Sequence, residues 1–371
     1  MKQNIISLVI AAFCAVLFAG GCCSSEKSSY NLVLLGDVHY DKIEFHKMPA
    51  FDTKIPWNLC LDEKGIFTWR NHNRWMNKAY GNTAQNYPIN VRMWKEDLPY
   101  IIKRAAENGA ENNALYTIQL GDMIHGDCGT LDLHKKNLQE ALDYLKNNSS
   151  SPLLVVCGNH DPRGPFGQQA WNEVMLPYFD SVKNVKRENT NYFIRIGRDL
   201  YYFHDAMNPD FEYLKQTLNA NKDARYIFFL SHVPLFAMAK NHINEPLAEN
   251  FDALLAMLAE HKAIVLSGHT HWISLTQYRH EGKKIDQFVL NSTMRKPERD
   301  SVFNPENNIS KDEFSVDYGG RIALWNKYAD KITTPLNAYG AGHALLRVAE
   351  DGVFVDFYSY KSDKVHTYKL R

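Results

Sequence analysis

Apolar runs of strand length alternate with helical periodicities from residue 30 onward. Residues 32–35, 115–120, 153–157, 227–230 and 264–266 are near-continuous apolar or mixed runs, the pattern of strands covered on both faces. Between them Leu98, Ile101, Ile102, Ala105 and Ala106 recur at helical spacing, as do Leu138, Ala141, Leu142 and Leu145. Leu254, Leu255 and Leu258 mark a third helix over 251–259. Strands alternating with helices predict an α/β domain. Farther on, 273–278, 287–290, 344–348 and 353–360 predict strands joined by short turns such as Glu350-Asp351-Gly352. Two sheets with helices outside are therefore expected, in one domain over 30–371. Two stretches break the rhythm. One is an insertion over about 40–95, with Trp57, Phe67, Trp69, Trp75, Tyr80 and Trp94; the other is an irregular segment over about 294–342. Loops of that length often serve a site.

The first residues follow another pattern. A short start with Lys2 precedes an apolar run of fifteen residues, 5–19, broken only by Ser7, and then Ala19-Gly20-Gly21-Cys22. A spanning helix needs about 20 apolar residues, so this segment predicts a cleaved signal peptide over 1–21. Its ending resembles a bacterial lipobox, which implies a lipidated Cys22, a short tether over 22–29 and export to the bacterial cell envelope as a lipoprotein. The membrane would then be reached through the lipid on Cys22.

Composition narrows the class. Of the 371 residues, 45% are hydrophobic and 23% charged, too apolar a mixture for a disordered chain. Basic and acidic side chains balance at 42 each, a net charge of zero, which argues against a broad grip on nucleic acid. Six cysteines are too few for a disulfide framework in a chain this long. No feature points to a protein partner.

The candidate chemistry sits where the apolar runs end. The first run leads to Gly36-Asp37-Val38-His39, the second to Gly121-Asp122 and the third to Gly158-Asn159-His160-Asp161. The fourth leads to Ser231-His232 and the fifth to Gly268-His269-Thr270-His271. In α/β folds ligands bind beyond the carboxyl ends of the strands, so these clusters are expected to converge on one rim. Asp37, Asp122, Asn159, His39, His232, His269 and His271 mix imidazole with carboxylate and amide oxygen, a set suited to Mn, Fe or Zn. They are too many for one open catalytic ion and suit two ions sharing a carboxylate, the arrangement used for displacement at phosphorus.

This ordered series resembles the calcineurin-like metallophosphoesterase superfamily over roughly residues 30–275. The resemblance implies a four-layer αββα double β-sandwich with flanking helices. It also implies two divalent or mixed-valence transition metals, one held by Asp37, His39, Asp122 and His271. The other would take Asp122, Asn159, His232 and His269, with Asp122 shared. His160 matches the family's substrate-facing histidine, so hydroxide held between the ions would attack phosphorus while His160 binds a phosphoryl oxygen or protonates the leaving group. Asp161 would orient His160 or cap a helix start. The chain departs from the protein Ser/Thr phosphatases, which carry an Arg just before Gly-Asn-His where Cys157 stands here. His125 replaces the iron-binding Tyr of purple acid phosphatases, and it is a candidate substrate contact. Arg74, within Asn71-His72-Asn73-Arg74, is another, with Arg92 and Arg295-Lys296 as further donors. The expected substrate is a small phosphorylated molecule, a monoester or a diester. An envelope nuclease and a metal-containing binding protein without turnover are the alternatives.

Overall fold

Strand β1 (Tyr30–Leu35) lies at the centre of a six-stranded sheet in a computed structural model. The structure describes residues 29–46, 88–237, 247, 250–295, 303–309 and 321–371. On one side of β1 run β2 (Thr117–Gln119) and β3 (Leu153–Val155), both parallel to it. On the other side β12 (Gly342–Ala349), β13 (Gly352–Ser359) and β14 (Val365–Lys369) follow as antiparallel neighbours. The second sheet is built on the parallel neighbours β6 (Asp199–His204), β7 (Ile227–Ser231) and β8 (Ile264–Ser267), a run that the next strand continues in parallel. Beyond β8 come β10 (Lys283–Val289), β9 (Ile273–His280) and edge strand β11 (Ile332–Ala338). Beyond β6 come β5 (Tyr192–Ile196) and β4 (Lys186–Arg187).

The period-two rule explains how the sheets stack. Tyr201, Phe203, Phe228, Leu230, Ile264 and Leu266 join one core with Leu32, Leu34, Ile118 and Leu154 of the first sheet. Their alternates Leu200, Tyr202, Ile227, Phe229 and Val265 face outward into a second core. There they meet Leu214 and Leu218 of α4 (Phe211–Ala220) and Leu254, Leu255 and Leu258 of α5 (Phe251–Glu260). Two tyrosines stitch the sheets together. Tyr30 donates from its hydroxyl to Asp199 Oδ2 at 2.7 Å, and the Tyr192 hydroxyl both donates to Val155 O (2.9 Å) and accepts from Val155 N (3.1 Å).

Helix α1 (Leu98–Glu111) opens on Pro99 and buries Leu98, Ile101, Ile102 and Ala105 against β1 and β12. Helix α2 (Leu131–Asn147) is capped by Thr130, whose Oγ1 accepts from Leu133 N at 3.2 Å; it packs on α3 (Gly167–Ser181). The architecture is the mixed α/β, two-sheet arrangement with outer helices that the hydrophobic pattern predicts. Among the described residues no helix is long and apolar enough to cross a membrane.

The structure adds elements the pattern does not show. Helix α3 carries Pro177 inside it, a residue that ordinarily argues against a helix. The segment over 294–342, expected to be irregular, contains α6 (Arg321–Asn326) and β11. Pro335 sits in β11 where its register against β9 shifts, between Thr333 and Leu336. Proline is tolerated there because the strand is an edge and locally bulged. Of the insertion over 40–95, Ile43–His46 forms a single 3-10 turn and 88–96 is helical. Residues 47–87 of it, with Arg74, lie outside the described residues, as do the signal segment, Cys22 and Lys296.

Candidate metal centre

The carboxyl ends of β1, β2, β3, β7 and β8 meet at one rim. Asp37 and His39 follow β1, Asp122 follows β2, Asn159 and His160 follow β3, His232 follows β7, and His269 and His271 follow β8. The loops are tied within each sheet and, through His269 and Asp37, across the two. Val38 N and His39 N donate to Asp122 O (3.1 and 2.9 Å), Gly268 N donates to His232 O (3.1 Å), and His269 N reaches both Asp37 oxygens at 3.0–3.1 Å. Gly158 is required for the closest approach, since a Cβ there would lie 2.0 Å from Asp122 N. Four of the side chains stand on left-handed backbone: His39 (φ +46°), Asp122 (+55°), His269 (+74°) and His271 (+57°). Non-glycine residues adopt that region rarely, and such strain gathers at sites that require it.

Besides a grouping of the His39, His125 and His160 imidazoles, two clusters result. In one, ligand atoms of Asp37, His39, Asp122 and His271 lie within 4.8 Å of one another; in the other, Asp122, His232 and His269 do. Asp122 belongs to both. Its Oδ2 stands 3.7 Å from His39 Nε2 and 3.2 Å from His232 Nε2. Asn159 Oδ1 completes the second cluster, 2.8 Å from His269 Nδ1 and 3.2 Å from His232 Nε2.

The donor chemistry shows that cations fit here. His232 donates from Nδ1 to Leu120 O at 2.8 Å, which directs the Nε2 lone pair at Asp122 Oδ2, Asn159 Oδ1 and His269 Nδ1. Lone pairs facing lone pairs in a buried site need a positive charge among them, and fixing one imidazole nitrogen by a backbone carbonyl is how metal-binding histidines are oriented. Without a cation a proton takes that place. Burial disfavours the charged ring of His232, but Asp122 and Asp37 outweigh it and push its pKa up to about 9. Asp37 shows the opposite strain: burial raises its pKa to about 7 against the pull of His232.

His160 borders the first cluster, its ring edge-on to that of His39 with centroids 4.6 Å apart. Its backbone N donates to Asp122 Oδ1 at 2.7 Å and its Nδ1 donates to His125 O at 2.8 Å. Arg163 Nη1 donates to its Nε2 at 2.7 Å. The ring is therefore neutral, with its lone pair already engaged. Burial lowers its pKa to about 3, and the Arg163 charge adds to the effect. A proton on Nε2, expected from the motif, is displaced here by a guanidinium. Asp161 neither orients the ring nor caps a helix: Oδ2 accepts from Asp122 N (3.0 Å) and Gly158 N (2.7 Å), and Oδ1 accepts from Ile124 N (3.0 Å). His125 is fully buried behind His160, between it and His46.

Sequence reasoning missed Arg163 and Asp127. Arg163 also donates from Nη2 to His125 Nε2 (3.2 Å) and pairs with Asp127 Oδ2 at 2.6 Å. A cation three positions after His160 was the one available signal. Of the other donors, Arg295 Nη1 stands 3.5 Å from His271 Nδ1, and Arg92 is turned toward Met294 O.

Two sheets whose strand ends carry paired imidazole–carboxylate clusters define a metal-dependent hydrolase of phosphate esters. The profile of the calcineurin-like phosphoesterases matches residues 30–272, and the chain belongs to that family. Among solved structures it is similar to the purple acid phosphatase PPD1 from yellow lupin (Lupinus luteus) at 12% identity and a TM-score of 0.53. That match covers 92% of this chain and 53% of the lupin chain. A dimetal phosphatase from Danio rerio matches at 12% identity and a TM-score of 0.49, covering 92% of this chain and 99% of that one. No curated protein matches at a significant level.

Proposed function

We propose that the chain hydrolyses small phosphate esters with a pair of transition-metal cations (Mn, Fe or Zn) held in the two clusters. Asp37, His39, Asp122 and His271 would hold one, and Asp122, Asn159, His232 and His269 the other. The observation that carries this reading is Asp122 Oδ2, which faces His39 on one side and His232 on the other. Two such cations supply Lewis acidity toward phosphoryl oxygens and a water acidic enough to ionise near neutral pH. The protein's own part is positional. The His160 amide fixes the Asp122 carboxylate, Leu120 O and Asp37 orient His232 and the His269 backbone, and Asp161 holds the Asp122, Ile124 and Gly158 amides. His160 then acts as a neutral acceptor that holds Arg163 at the substrate's edge.

The Ala19-Gly20-Gly21-Cys22 sequence supports export and lipidation at Cys22, which would place the enzyme in a bacterial cell envelope. Mass spectrometry of the mature N-terminus tests this, and an unmodified start elsewhere refutes it. Metal-replete protein is expected to hydrolyse mono- or bis-(p-nitrophenyl) phosphate and to lose activity on chelation. Turnover of neither ester, with both clusters loaded, would favour a binding protein. Cleavage within oligonucleotides would favour a nuclease.

A further inference from the structure

The end of the sandwich opposite the metal rim is open at one corner. Strand β3 is the outermost strand of the first sheet, and β5 lies one strand in from the edge of the second. Tyr192 of β5 ties the two together at Val155, where β3 ends. Toward the start of β3 they part, and a cavity of about 790 Å³ opens between Leu153 and Ile196. Tyr116 and Pro152, which also line it, immediately precede β2 and β3. Asp122 and Asn159 follow the opposite ends of those two strands, so the cavity is no part of the metal centre. Its volume falls within the range of about 300–1,000 Å³ that small-molecule sites occupy.

The lining sets the chemistry. Leu115, Val182 and Ile196 give the cavity an apolar wall. Tyr178 adds its ring, because its hydroxyl is already donated to Leu153 O at 2.7 Å. Three cations, Lys146, Lys183 and Arg195, line the same space, and no Asp or Glu does. Arg195 is engaged by Asp223 (3.2 Å) and Asn221 (2.8 Å). The lysines are not: Lys146 Nζ lies over the Tyr178 ring, 5.4 Å from its centroid, and among the described residues neither lysine pairs with a carboxylate. An apolar enclosure whose wall carries unneutralised ammonium groups attracts an anion and repels a cation. Lysine is a point charge without the fork of arginine, so it accepts any acidic group rather than selecting a bidentate one.

We propose that this cavity is a second binding site, for a small organic anion that joins an apolar body to one acidic group. The inference takes nothing from the phosphoesterase reading, and either can fail without the other.

The probes are anilinonaphthalene sulfonate and its uncharged counterpart N-phenylnaphthylamine, which both brighten in apolar surroundings. They are titrated into the metal-loaded full chain, with excess inorganic phosphate present to compete for the metal centre. Wild type is expected to saturate at one site and to bind the sulfonate about tenfold more tightly than the amine, about what two exposed ion pairs supply. High salt should shrink that preference. K146Q/K183Q should remove it, lowering sulfonate affinity about tenfold and leaving the amine within about twofold. Ser181 lines the cavity at the end of α3, and S181W, which fills the space from there, should weaken both probes by about tenfold or more. Metal content should stay at the wild-type level in both variants. Equal affinity of wild type for the two probes overturns the proposal, as does sulfonate binding that K146Q/K183Q leaves unchanged. Parallel loss of metal and of probe would place the probe at the metal centre and overturn it too. Should S181W fail to fold, the lysine variant and the salt dependence decide.

Discussion

The Nε2 atoms of His39 and His271 stand 3.1 Å apart across 232 positions of sequence, and both residues sit on left-handed backbone. Burial and neighbouring positive charge hold both rings well below the ordinary histidine pKa, so at neutral pH two neutral imidazoles confront each other. One shared cation explains the confrontation better than a single hydrogen bond, because Asp37 Oδ1 lies 3.8 Å from His271 Nε2 and Asp122 Oδ2 lies 3.7 Å from His39 Nε2. The clusters differ in one testable respect. His271→Ala is expected to keep about half the metal, since His232, His269 and Asn159 remain, whereas Asp122→Asn should keep almost none. Elemental analysis after dialysis reads both. Equal metal content in the two variants would contradict a shared Asp122.

Asp161 separates a structural role from a chemical one. Its three accepted amides come from the loops that carry Asp122 and Asn159. Asp161→Ala would strand three buried N–H groups, at about 1–3 kcal/mol each, so stability should fall by several kcal/mol and metal affinity with it. Asp161→Asn retains one acceptor oxygen but turns an NH2 toward another donor, so it should fall between. A direct proton-transfer role predicts instead that Asn abolishes turnover with the melting temperature and metal content unchanged.

The rim was legible because its strands are. β1, β3, β7 and β8 are buried along nearly their whole length, so each writes an apolar run that stops where a ligand begins. Strand β6 is equally buried but reads Asp-Leu-Tyr-Tyr-Phe-His; Asp199 and His204 interrupt the run at its ends, and the Tyr30 and Arg225 partners of Asp199 are visible only in three dimensions. Helix α3 hides behind Pro177, and β11 behind Pro335. Arg163 shows the limit most plainly. Its meaning lies in His125 and Asp127, from another loop, and no spacing encodes that closure.

Tyr30 anchors the first strand to the opposite sheet. Its hydroxyl reaches Asp199 Oδ2 (2.7 Å) and Tyr201 Oη (2.8 Å), and Asp199 also takes two bonds from Arg225 (3.0 and 2.6 Å). Tyr30→Phe removes one donor but leaves the Asp199 charge paired. A cost of about 1–2 kcal/mol is therefore expected, well short of that for breaking a buried ion pair. Urea unfolding should show a lower midpoint with unchanged slope. A changed slope would mean that the sheets no longer separate together.

His204 gives the clearest pH test, because its ring packs into the outer core and belongs to neither metal cluster. Its ring is fully buried between Phe211 and Phe229, with centroids 5.8 and 5.0 Å away, and neither nitrogen has a hydrogen-bond partner. Burial lowers its pKa from 6.5 to about 3. The sign follows from proton counts. Above pH 6.5 neither folded nor unfolded His204 binds a proton; between pH 6.5 and 3 the unfolded chain does and the folded one does not. Stability therefore falls as pH drops through that window, by up to about 1.4 kcal/mol per unit from this group. His204→Phe keeps an aromatic ring in the slot and removes the titration. Urea midpoints at pH 7.5, 6.0 and 5.0, with chelator present to exclude metal-linked protons, should diverge. The variant is expected to match or slightly exceed wild type at pH 7.5, where it sheds two unpaired polar atoms, and to lead by a growing margin as the pH falls. Parallel curves for the two proteins would show that the ring accepts its proton in the folded state.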